Sequence, residues 1–188
     1  MFRKILNFFL DSIQALVLAL SVFVLAYLFV AQPNQVHGNS MFANFHDKEF
    51  LLTEKISYKM HDPRRGEVVV FKAPPSEPCS AEECEYIKRV IGLPGETVMV
   101  SQGKYYINGK VLKEDYLPED IYTNDGSFLS EGKPVIVPPN EYILSGDNRQ
   151  HSRDSREFGS ITKDRFIGRA FICYWPADRV RIIEQGKY

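Results

Sequence analysis

Polar and apolar positions are unevenly distributed along the chain. From Ile13 to Ala31 only Gln14 and Ser21 are polar, and no residue is charged. As a helix this stretch spans roughly 28 Å, close to the hydrocarbon thickness of a bilayer. It lacks the polar face that a soluble helix turns to water. A cleaved leader would need small residues at −3 and −1 before Gln32, and Phe29 at −3 is too large. The pattern therefore predicts one retained transmembrane helix. Arg3 and Lys4 precede it against a single acid, Asp11. The positive-inside rule then leaves the N-terminus in the cytoplasm and the rest of the chain outside. The expected division is 1–31 for the cytoplasmic N-terminus and anchor, and 32–188 for an extracytoplasmic domain.

Beyond the anchor the pattern changes to that of strands. Gly66 to Lys72 is a short run rich in valine, as a buried strand requires. Tyr86 to Ile91, Glu141 to Ser145 and Arg169 to Trp175 read the same way. Val98 to Leu112 reads as hairpins turned at Gln102-Gly103 and Asn108-Gly109. No long amphipathic helix is expected. Pro118, Gly126, Gly132, Pro134 and Pro138-Pro139 break up residues 114–139, which predicts an irregular excursion or the remains of a small subdomain, within a variable insert at about 99–140. The expected fold class is mainly β, with one N-terminal transmembrane helix.

Composition narrows the classes. The 188 residues suit one domain with a small appendage. With 23 Lys+Arg and 24 Asp+Glu the formal charge is −1, which argues against a nucleic-acid binder. At 44% hydrophobic and 13% aromatic the chain is not disordered. Three cysteines are too few for a disulfide scaffold. Cys79 and Cys84 form either a local disulfide or two surface thiols, and Cys173 lies in an apolar strand. Neither a zinc set nor an EF-hand spacing is present, so no metal is expected.

Four segments carry polar or glycine residues that a plain β-domain would not need. They are Gly38-Asn39-Ser40-Met41, Gly66 to Lys72, Tyr86 to Glu96, and Gly146 to Gly159. Lys88 shares a strand face with Tyr86 and Val90. A free lysine is neutral in only about one molecule in 2,500 at pH 7. Burial would lower its pKa and make it a usable base; the alternative is a lysine that snorkels to water. Ser40 lacks both the G-x-S-x-G elbow and an S-x-x-K partner, so any Ser–Lys pairing must join distant residues through the fold. His37, His46, His61 and His151 fit no Ser–His–Asp pattern.

In this order the four segments resemble those of bacterial type I signal peptidases, the leader peptidases. That family shows S-M after its anchor, then G-[DE]-V-V-V-F, Y-I-K-R-V-x-G-x-P-G-[DE] and G-D-N-R-x-x-S-x-D-S-R-x-x-G. This chain matches with Ser40-Met41, Gly66 to Phe71, Tyr86 to Glu96 and Gly146 to Gly159. The resemblance implies a coiled antiparallel β-sheet catalytic domain and a serine endopeptidase that cleaves N-terminal signal peptides from exported preproteins after small residues at −1 and −3. It implies Ser40 as nucleophile, Lys88 as general base and Ser152 as the residue orienting the Lys88 amine. It pairs Asp147 with Arg89 and Asp154 with Arg156 as structural support, and places Met41 and Tyr86 at the substrate. No cofactor is implied. The implied partners are preproteins, the lipid bilayer and the secretion translocon, at a single-pass location in the cell membrane. The chain departs from the usual S-M-x-P-T-[LF] by reading Ser40-Met41-Phe42-Ala43-Asn44-Phe45. Gly38 stands where some members carry a serine donor, which leaves the oxyanion to backbone groups such as the Ser40 N–H. Two alternatives are a related Ser/Lys peptidase of the self-cleaving repressor type and an inactive anchored binding module.

Overall fold

The computed structural model describes residues 2–77, 84–186 and 188. It opens with α1 (Phe2–Phe29), a helix long and apolar enough to cross a membrane, with none of its residues buried against the rest. Helix α1 takes in the segment expected as a cytoplasmic tail and stops before Ala31, which belongs to the first strand rather than to the anchor. Val30 alone separates α1 from β1 (Ala31–Gln35).

In chain order there follow β2 (Phe50–Glu54), the single turn α2 (Ser57–Met60), β3 (Val68–Lys72) and β4 (Glu85–Gly92). Next come β5 (Thr97–Ser101), β6 (Lys104–Ile107), β7 (Lys110–Val111), β8 (Val135–Ile136) and β9 (Glu141–Ser145). The chain finishes with α3 (Ser155–Phe158), β10 (Ile161–Thr162), β11 (Phe166–Trp175) and β12 (Arg181–Ile182). Among the described residues the larger sheet runs β1-β2-β11-β3-β4-β9-β10, with β12 added to β11. The smaller sheet runs β7-β6-β5-β8 and forms the insert. All pairings are antiparallel.

The larger sheet is strongly coiled. In a flat sheet, four strand steps would put β1 and β4 on the order of 19 Å apart. Yet Asn34 Nδ2 on β1 donates to Glu85 Oε2 on β4 at 2.5 Å. Register shifts in β11 and in β4 supply the bends that such curling needs. At Gly168 on β11 any Cβ would overlap the Glu54 carbonyl of β2, so the two backbones can approach there only without a side chain.

The valine run of β3 follows from burial on both faces. Val68 belongs to a core with Val36, Met41, Phe45 and Leu51. Val69 and Phe71 belong to another with Val90, Tyr142 and Leu144. A strand with no solvent face needs no alternation. The insert packs Val98, Val100, Tyr105 and Leu129 against Ile91 of β4 and Ile143 of β9, a core shared between the two sheets. Its hairpins turn at Gln102-Gly103 and Asn108-Gly109, where all four residues have positive φ, the backbone of a type I′ turn. Cys84 is disulfide-bonded; Cys79, its expected partner, lies outside the described residues. Cys173 is a free, buried thiol in the core.

Candidate active site

The loop between β1 and β2 carries Ser40, and the middle of β4 carries Lys88. Strand β4 pairs with β3 along Glu85–Arg89 and meets β9 only from Arg89 onward. Among the described residues its first half therefore keeps a bare edge, and β1, paired with β2, keeps another. A cleft of about 800 Å³ lies between them, lined by Pro33, Gln35, Ser40, Tyr86, Lys88 and Arg153 among others.

In this cleft the Lys88 amine donates to Ser40 Oγ at 2.8 Å and to the Ile87 carbonyl at 3.0 Å. The lysine is only 4% exposed. Burial drives its pKa down to about 8, against the upward pull of the Asp154 and Asp147 carboxylates. Such an amine is substantially neutral just above neutrality, and a neutral amine can accept the hydroxyl proton of Ser40.

The Ser40 loop is fixed from two sides. The Gly38 N–H donates to Asp47 Oδ1 at 2.8 Å and the Phe45 N–H to the Met41 carbonyl at 2.9 Å. From the fourth sequence segment, the Asn148 N–H donates to the Ser40 carbonyl and Asn148 Nδ2 to the Asn39 carbonyl, each at 3.0 Å. Gly146 makes this approach possible, since a Cβ there would overlap both the Ser40 carbonyl and Ser152 Oγ. Gly146→Ala is therefore expected to push the Ser40 loop away from Lys88 and lower kcat about 100-fold. Steady-state cleavage of a precursor, with circular dichroism as a folding check, measures this; near-normal turnover would contradict the tight fit.

Three buried arginines surround the pair. Arg89 holds Asp147 with two bonds, Nε to Oδ1 at 2.8 Å and Nη2 to Oδ2 at 2.6 Å, and both side chains are buried. Arg156 holds Asp154 with two bonds of 2.8 Å, and the Gly146 N–H adds a third contact at 2.9 Å. Burial raises the Asp154 pKa, but Arg156 and the Gly146 N–H outweigh it and keep the carboxyl below its ordinary range. Burial likewise disfavours the Arg89 cation, and Asp147 more than restores it. The third arginine had no role in the sequence reading. Arg149, fully buried, holds Glu114 of the irregular segment at 2.5 and 2.9 Å. The same segment lays Tyr116 over the Arg89 guanidinium at 4.0 Å. Asn44 donates to Asp147 Oδ2 at 2.8 Å and to the Tyr116 carbonyl at 3.0 Å. It thus ties the Ser40 loop to the Arg89–Asp147 pair, where sequence reading saw only a missing threonine.

Not every expected residue meets its expected partner. Ser152 is not bonded to Lys88; its buried Oγ instead faces the Asp154 carboxyl, which it helps to hold below its ordinary range. Met41 is 1% exposed and lies in the core instead of lining the cleft. Tyr86 does line the cleft, with its ring centroid 5.3 Å from the Lys88 amine.

The family model described as "Signal peptidase, peptidase S26" matches residues 9–175. A Synechocystis sp. protein named "Probable signal peptidase I-2" is 37% identical over 179 residues, 94% of this chain and 78% of its own. "Signal peptidase I T" of Bacillus subtilis is 33% identical over 183 residues, 95% of this chain and 92% of its own. A solved signal peptidase I from Enterococcus faecalis V583 is 30% identical, with a TM-score of 0.46 over 58% of this chain and 97% of that one. The chain belongs to the signal peptidase family, peptidase S26, and is related over nearly its whole length to signal peptidases I.

Proposed function

We propose that the protein is a Ser/Lys endopeptidase, held in the cell membrane by α1 with its β-domain outside, which removes signal peptides from exported preproteins. The observation that carries this reading is the buried Lys88 amine 2.8 Å from Ser40 Oγ. The preprotein enters the cleft extended, as a strand between β1 and the first half of β4, held by main-chain hydrogen bonds. Small residues at −1 and −3 fit the shallow cleft beside Ser40.

As Ser40 Oγ attacks the carbonyl carbon after the −1 residue, neutral Lys88 takes its proton. The tetrahedral oxyanion is met by the Ser40 N–H. Gly38 offers no side chain there, and its own N–H is committed to Asp47. The scissile C–N bond breaks, and the Lys88 ammonium returns the proton to the departing amine of the mature protein. Lys88 next takes a proton from water, whose oxygen attacks the Ser40 ester. Ser40 leaves with that proton and the signal peptide is released as a free acid. The Arg89–Asp147 and Asp154–Arg156 pairs hold the fourth segment in place. Ser152, a buried hydroxyl beside the Ser40 carbonyl, supplies the proposed orientation of the amine once the substrate is bound.

The test is incubation of the detergent-solubilised protein with a signal-bearing precursor across pH. Protonated Lys88 is inactive and its pKa is lowered to about 8. kcat/KM is therefore expected to rise about tenfold per pH unit below pH 8 and to level off above it. A profile flat from pH 6 to 9 would remove Lys88 as the base.

A further inference from the structure

The cleft has two unlike walls. Strand β4 turns Ile87 to one face and Tyr86 and Lys88 to the other. On the Ile87 side the lining is apolar, with Val36 and Leu51 of the same core. On the Tyr86 side it includes Arg153, between Ser152 and Asp154 in the fourth segment. A substrate strand laid along β4 alternates in the same way. Small side chains at −1 and −3 face the apolar wall, so the side chain at −2 faces the wall of Tyr86 and Arg153.

Arg153 is aimed from behind. Its Nε donates to Glu77 Oε2 at 2.7 Å; the Glu77 side chain is 1% exposed and that of Arg153 59%. Burial and the same Glu77 carboxylate raise the pKa of the Tyr86 hydroxyl, so Glu77 stands beside both residues. The buried acid anchors one edge of the guanidinium and leaves the other edge outward. Among the described residues neither Nη group makes a hydrogen bond or an ion pair, although four N–H donors remain there. The other lysine and carboxylate of the cleft are engaged. Lys88 is bonded to Ser40, and Glu85 accepts from Asn34 at 2.5 Å and from Gln32 at 3.4 Å.

We propose that Arg153 forms a subsite for the −2 side chain and selects a carboxylate there, aspartate or glutamate. The proposal rests on the Ser/Lys peptidase reading and adds a charge preference to a cleft otherwise read only for size. The guanidinium keeps Glu77 on Nε and lends its Nη groups to the substrate carboxylate. An exposed ion pair gives only a few-fold in affinity. Exchanging Glu for Lys at −2 turns attraction into repulsion, so the combined effect approaches about tenfold.

The experiment uses the detergent-solubilised full chain and peptides spanning a signal-peptide cleavage site, identical except for Glu, Gln or Lys at −2. The readout is the ratio of kcat/KM for the Glu peptide to that for the Lys peptide within each variant, so that a general loss of activity cancels. The unmodified protein should prefer Glu about tenfold, with Gln between, and less so at high salt. Arg153→Gln should bring the ratio to about one, Arg153→Lys should keep most of it, and Arg153→Glu should invert it. The same Glu and Lys placed at +3, about 13 Å further along an extended chain, should give a ratio near one. A ratio near one at −2 in the unmodified protein, or one that Arg153→Gln leaves unchanged, would overturn the subsite and leave the peptidase reading standing. An equal preference at +3 would do the same, since it reports a general field. No cleavage of any peptide by the unmodified protein would overturn both. Circular dichroism verifies the folding of each variant.

Discussion

Lys88→Met is expected to abolish cleavage while making the protein more stable. Methionine fills similar space but accepts no proton, so kcat/KM should fall about 10⁴-fold or more, as with Ser40→Ala. Lys88→Arg should fail equally, because a guanidinium does not give up its proton. The gain in stability follows from the lowered pKa. In the unfolded chain the amine titrates at its ordinary 10.5, and in the fold burial brings it to about 8. Between those values the unfolded state binds more protons, so stability rises with pH across that window; below about pH 8 the full cost remains. That cost is roughly 3 kcal/mol, and methionine does not incur it. Urea unfolding at pH 7 measures the gain, and its shrinkage by pH 10.5 checks the cause. An active Lys88→Met would end the proposed mechanism, and a less stable one would contradict the burial argument.

Asp147→Ala carries the second large effect. Asp147 is fully buried, and its carboxylate serves Arg89 twice and Asn44 once. Its removal strands the Arg89 cation in the interior, at about 3–5 kcal/mol of stability. The Ser40 loop loses its tie through Asn44 as well, so activity should fall even in molecules that remain folded. Chemical denaturation and precursor cleavage report the two losses separately. The double variant Arg89→Met with Asp147→Leu should recover much of the stability, since no uncompensated charge remains. A loss below about 1 kcal/mol for Asp147→Ala would mean that Arg89 finds relief elsewhere.

The parts legible in the sequence were those whose cause is local. The valines of β3 announced a strand buried on both faces, and Gln102-Gly103 and Asn108-Gly109 announced their turns. Strand β1 was missed because Ala31 to Gln35 carries no alternation of its own; it is extended by pairing with Phe50–Glu54 of β2. Residues 114–139 were read as an irregular excursion or the remains of a small subdomain, not as part of the site; β8 within them joins the smaller sheet. The contacts of Glu114 with Arg149 and of Tyr116 with Arg89 join residues far apart in the chain, and composition carries no trace of them. The 2.8 Å approach of Lys88 to Ser40 was foreseen only through the family resemblance. From periodicity alone a snorkelling lysine was the ordinary reading.

The bare margins of β1 and β4 have a bearing on what is spared. Unpaired strand margins invite any neighbouring chain to zip on. Along β1 that hazard is blunted by Pro33, which has no amide hydrogen to lend, at a place where only an outermost strand tolerates proline. If the preprotein binds as proposed, the gap admits a lone, taut stretch of polypeptide and turns away finished sheets. A secreted protein that has completed its own folding offers no such stretch, so discrimination starts with conformation, before a single side chain is inspected.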